Sequence, residues 1–96
     1  MTGNIYQKAI HKFGEVHQSI KCLEEMSELS KEICKWLEGD KSEVRVDIIV
    51  EEIADVEITI SQLKLICGIS DCQIDMIKQI KLERLKNLLN KKGELI

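Results

Sequence analysis

The chain has 96 residues, of which 44% are apolar, 32% charged and only 3% aromatic, with a formal net charge of −3. That length holds one domain with a small core, and the apolar fraction is too high for a disordered segment. The mild acidity excludes a basic footprint for nucleic acid, and no apolar run approaches the roughly 20 residues that span a bilayer. Met1 to Tyr6 lack the apolar run of a secretory signal, so a cytoplasmic protein is expected. Proline is absent and Glu, Lys, Leu and Ile dominate, a balance that favours helix throughout.

The first predicted helix covers about Asn4 to Phe13, with Ile5, Ala9, Ile10 and Phe13 as its apolar stripe, and Gly14 interrupts it. The second runs from about Glu15 to Leu37. Its apolar positions Val16, Ile20, Leu23, Leu29, Ile33 and Trp36/Leu37 recur at three- and four-residue steps, and Gly39-Asp40 ends it. The third extends from about Ser42 to Cys67. Its β-branched start (Val44, Val46, Ile48, Ile49, Val50) would suit a strand, but the stripe Ile49, Ile53, Val56, Ile60, Leu63 keeps helical period as far as Gly68. Ser70 or Asp71 then caps a fourth helix from about Cys72 to Leu89, with Ile74, Ile77, Ile80, Leu85 and Leu88 as its stripe. The tail from Lys91 to Glu94 is expected to fray.

Four helices joined by short loops predict an all-α antiparallel four-helix bundle over residues 1–96. The third helix is apolar over more than one stripe, which a monomer of this size would leave uncovered, so a homo-oligomer is expected. Cys22, Cys34, Cys67 and Cys72 have no C-x-x-C spacing and no nearby histidine; free thiols are expected rather than a zinc site or a disulfide.

Two acidic clusters carry the chemistry. Glu24-Glu25-Met26-Ser27-Glu28 and Glu51-Glu52-Ile53-Ala54-Asp55 each place one carboxylate three residues after another, Glu25 with Glu28 and Glu52 with Asp55. Residues three apart share a helix face, so each pair can grip one cation, and opposed antiparallel helices would bring all four together. Like charges brought so close need a cation or a proton. Oxygen-only donors select a hard ion, Mg²⁺ or Mn²⁺, over zinc.

The order E-E-x-x-E-L (Glu24 to Leu29), a gap of 23 residues between Glu28 and Glu52, then E-E-x-A-D-V (Glu51 to Val56), resembles the MazG-like all-α nucleoside triphosphate pyrophosphatases. The likeness extends to Ala9 to Gly14, to His17-Gln18 and to a basic last helix with Lys81 and Arg84. The resemblance implies Mg²⁺-dependent hydrolysis of a (deoxy)nucleoside triphosphate to the monophosphate and pyrophosphate, a house-cleaning or nucleotide-pool role. Glu25, Glu28, Glu52 and Asp55 would then be metal ligands. Glu25 is the candidate base and Glu24 the alternative. Lys81 and Arg84, three apart on the fourth helix, would meet phosphate, with Lys35 a further candidate; the family's K-x-x-N-x-x-R form is not reproduced, since position 85 is Leu and Asn87 is displaced. His17, Gln18 and Trp36 would contact base or sugar. Relatives of this kind assemble as homodimers or homotetramers.

Two other readings stand beside this one. A non-catalytic helical interaction module would use the acidic face to bind a partner. A related pyrophosphohydrolase would share the metal logic but act on a phosphoribosyl nucleotide.

Overall fold

The structure is a computed structural model that describes the backbone of residues 2–92 and the side chains of residues 5–91; Gly93 and Glu94, expected to fray, lie outside the described residues. Four helices follow one another: α1 (Thr2–Phe13), α2 (Glu15–Leu37), α3 (Glu43–Cys67) and α4 (Asp71–Lys92). The described residues contain no strand, and the β-branched opening of α3 is helical as its period requires. None of these helices is long and apolar enough to cross a membrane.

Local chemistry sets each boundary. Gly14 takes a φ of 94°, open to glycine and strained for other residues, and so separates α1 from α2 without a connecting loop. Ser42 caps α3, its side chain accepting from the Arg45 backbone N–H at 3.1 Å. Gly68 ends α3 in the left-handed conformation (φ 68°), with the Gly68 and Ile69 N–H groups donating to the Leu65 and Lys64 carbonyls. Ser70 caps α4 reciprocally with Gln73: the Gln73 N–H donates to Ser70 Oγ, and the Ser70 N–H donates to Gln73 Oε1.

α2 and α3 form an antiparallel hairpin, and α1 packs against both. The bundle of four helices is not closed within one chain. α4 packs against none of the others, and the radius of gyration is 17.4 Å, against about 12 Å for a compact chain of this length.

Of the stripe expected to bury α2, Leu29 lies on the face toward α3 and the rest is turned outward. Val16 is 74% exposed and Leu23 and Leu37 65% each, while the face toward α3 carries Gln18, Cys22, Glu25, Leu29 and Glu32. Cys22 is the one apolar side chain fully buried among the described residues. Cys34, Cys67 and Cys72 are exposed, and all four cysteines are free thiols, as expected.

A Cβ added at Gly68 would meet nothing within 4 Å, so its cost is conformational. Gly68→Ala should therefore destabilise the chain by about 1–2 kcal/mol, measured as a lower urea midpoint at unchanged m-value.

Candidate metal centre

The side chains between α2 and α3 form a polar ladder. They project at three- and four-residue steps from α2 and meet partners on α3 in antiparallel order. At one end Gln18 Nε2 donates to Gln62 Oε1 at 2.7 Å, both side chains buried. At the other end, beside the loop, buried Glu32 accepts from Arg45 and pairs with Lys35 at 3.4 Å, while Arg45 Nε donates to Asp40 at 3.1 Å. Both ends are satisfied by complementary groups.

The middle is not. Glu25, Glu52 and Asp55 each direct a carboxylate oxygen into one group whose atoms all lie within 4.8 Å of one another. Glu25 is 12% exposed and holds Lys21 at 3.2 Å. Oε2 of Glu52 is buried and has no hydrogen-bond partner. Burial raises the Glu52 pKa first, and the charges of Glu25, Asp55, Glu28 and Glu32 raise it further. Hydrogen bonds and charge from Lys35 and Arg45 outweigh burial at Glu32 and lower its pKa; bonds from Ser42 and Arg45 lower that of Asp40. The Glu25 bond and charge raise the Lys21 pKa.

This donor set fits a hard divalent cation. It offers oxygen only, it is like-charged, and its most buried oxygen lacks a donor. An ion with bonds of about 2.1 Å needs neighbouring ligand oxygens about 3–4 Å apart, a modest closing of the present group.

Of the residues singled out from sequence, Glu25, Glu52 and Asp55 converge. Glu28 is exposed and stands outside the three, near enough to act on Glu52 by charge. Glu24 lies toward solvent, 3.9 Å from Lys21. Gln18 has both ends of its amide engaged, since His17 Nδ1 also bonds its Oε1 at 2.7 Å; it is a link between helices. His17 is exposed and stacks on Phe13 at 5.7 Å. Trp36, at the far end of α2, carries Lys41 Nζ 3.2 Å over its ring, and Lys35 serves Glu32. Lys81 and Arg84 ride on α4, which does not pack on α2 or α3, so the chain does not bring them to the carboxylates.

Neither Glu32 nor Arg45 stands among the site residues expected from sequence, yet the two pair at the loop end of the ladder. Glu32 reads as a surface charge, yet it is 6% exposed. Their spacing held the signal: Glu32 lies seven residues after Glu25 and Arg45 seven before Glu52, two turns along the same faces.

No protein-family model, curated protein or solved structure matches the chain.

The raised Glu52 pKa fixes the sign of a pH effect. Stability linked to Glu52 is full below its ordinary value of 4.5 and is lost as pH rises through the raised folded value. Glu32 and Asp40 act oppositely: their contributions are present above their ordinary values of 4.5 and 3.8 and are lost as pH falls through the lowered folded ones. In cation-free buffer the melting temperature should therefore rise on acidification from neutral pH toward the ordinary Glu52 value of 4.5 and fall in stronger acid, below the ordinary values of Glu32 and Asp40. Glu52→Gln should melt higher than wild type at neutral pH and lose the upper limb only, as read by circular dichroism.

Proposed function

We propose that the chain is a divalent-cation-dependent hydrolase that cleaves a nucleoside triphosphate to the monophosphate and pyrophosphate. The observation that carries this reading is the meeting of Glu25, Glu52 and Asp55 around a buried Glu52 oxygen with no protein donor. Buried polar atoms nearly always have a partner, and carboxylates that are all ionised supply none for each other, so the group calls for a cation or a proton. A phosphoanhydride substrate gives such a site its use, because its charge must be neutralised before a nucleophile can approach.

Glu25, Glu52 and Asp55 would hold Mg²⁺ or Mn²⁺, with Glu28 one turn along α2 from Glu25. When bound, the ion would neutralise triphosphate oxygens and the charge that builds on them during transfer. Glu25 is the better placed of the two base candidates, since Glu24 stands toward solvent. Its carboxylate would orient a water in line with the α-phosphorus and accept the proton as the new O–P bond forms. The bond from the α-phosphorus to the bridging oxygen breaks, and that oxygen leaves with the β- and γ-phosphates as pyrophosphate. Lys21, held at Glu25, is the cation beside the group and would meet a phosphate oxygen. Lys81 and Arg84 reach a bound triphosphate only when an α4 helix is brought over the carboxylates. Exposed His17 would lie toward the base or sugar.

The second reading, a helical interaction module, draws support from the amount of exposed apolar surface on α2, α3 and α4. Metal dependence separates the two. Mg²⁺ or Mn²⁺ at a hundredfold excess over its dissociation constant should stabilise wild type by about 2.7 kcal/mol. Asp55→Asn and Glu52→Gln should lose most of this gain. Pyrophosphate release across a panel of canonical, modified and phosphoribosyl nucleotides should depend on the ion. It should fall by about a hundredfold or more in either variant, since even a ligand's outer partners are worth 10–100-fold. Equal turnover in wild type and Glu52→Gln, or no turnover of any nucleotide, would exclude the hydrolase.

A further inference from the structure

The large apolar side chains of this chain lie mostly at its surface. On α2, Val16, Leu23, Met26, Ile33 and Leu37 recur at helical spacing on a flank other than the one that meets α3, and all are exposed. On α4, Ile77, Leu85 and Leu88 form an exposed face with Lys81 in its centre, four residues from Ile77 on one side and from Leu85 on the other. The turn at Gly68, the Ser70–Gln73 cap and the Lys64–Asp71 ion pair at 3.0 Å define the start of α4, and from there it leaves the other helices. No described residue of α1 to α3 packs on the body of α4.

Charge selects what covers these faces. From Asp71 to Lys92, α4 carries six basic and three acidic residues, whereas α2 and α3 together carry eleven acidic and five basic. Pairing α2–α3 with its own copy sets acid against acid, and pairing α4 with α4 sets base against base. Pairing α4 with α2–α3 sets opposite charges together. A lysine centred in an apolar face also suits this arrangement, because its stem packs while its ammonium reaches a facing carboxylate.

We propose that a second copy of this chain is the partner: α4 of one copy lies along the α2–α3 pair of the other, its apolar face on the exposed apolar flank of α2. Reciprocal exchange of two such arms closes a two-fold dimer. The three-residue linker Gly68 to Ser70 leaves α4 standing off its own hairpin and available to the other. This assembly rests on the apolar and charged surfaces alone and is independent of any nucleotide chemistry.

The test uses the full wild-type chain in two measurements. Sedimentation equilibrium should show a dimer or a multiple of it. Zero-length carbodiimide cross-linking of mixed isotope-labelled and unlabelled copies should give mixed-isotope products joining Lys78, Lys81 or Lys86 to acidic residues of α2 or α3. Ile77→Asp with Leu85→Asp on α4, and separately Leu23→Asp on α2, should each weaken the dimer at least tenfold. A monomeric wild type overturns the proposal, whether α4 then folds onto its own chain or awaits another protein. So do cross-links confined to single-isotope products, mixed products joining only α2–α3 to α2–α3 or α4 to α4, and a dimer insensitive to both sets of substitutions. Where a variant fails to fold, the wild-type cross-links decide.

Discussion

The rest of the structure depends on a carboxylate that lies between two helices without a counter-charge. Oε2 of Glu52 is buried and bonded to nothing, and Glu25 and Asp55 stand against it with the same sign. The two ends of the α2–α3 ladder are answered, by an amide pair at one and by Arg45 and Lys35 at the other. Ion pairs of this kind add little net stability but favour one register, because any slip strands a charge. Both ends set the register in which Glu25 and Glu52 face each other, while Asp55 keeps one side toward solvent. The hairpin therefore holds like charges close together, an arrangement that a proton or a cation would relieve.

That investment in polar groups has a consequence for the remainder of the chain. The side of α2 that meets α3 is taken up by Gln18, Glu25 and Glu32, and only Cys22 is fully buried among apolar side chains. Ile49, Val56, Ile60 and Leu63 of α3 are half-buried, but most of the other leucines, isoleucines and valines lie on outward flanks. A chain this short has little area to hide even when well packed. Polar and charged side chains occupy much of the α2–α3 interface, which leaves less room there for the apolar ones. α2 thus carries two different flanks, one with carboxylates toward α3 and another of exposed apolar side chains.

The loop between α2 and α3 supports the ladder as much as it connects the helices. Asp40 bonds Ser42 and Arg45, and Ser42 caps the helix on which Arg45 sits. Arg45 is thereby aimed at Glu32 before any long-range packing is considered. The hairpin end is locally determined, which lets the carboxylate centre be positioned by short-range geometry.

What the sequence determined by itself is the set of helices and their ends, because these are decided within a few residues. Gly14, Ser42, Gly68 and Ser70 act through backbone conformation and capping bonds to near neighbours, and period alone kept α3 helical through its β-branched start. Glu25, Glu52 and Asp55 were legible as neighbours on their helix faces for the same reason, and they do meet. Tertiary structure decided which face points inward. Periodicity shows that α2 has an apolar stripe, but whether Val16, Leu23 and Leu37 or Gln18, Cys22 and Glu32 turn toward α3 depends on the summed fit of two helices. It also decided that Glu28 stands outside the three and that α4 leaves the hairpin. Such outcomes rest on pairings between distant segments, and no local spacing encodes them.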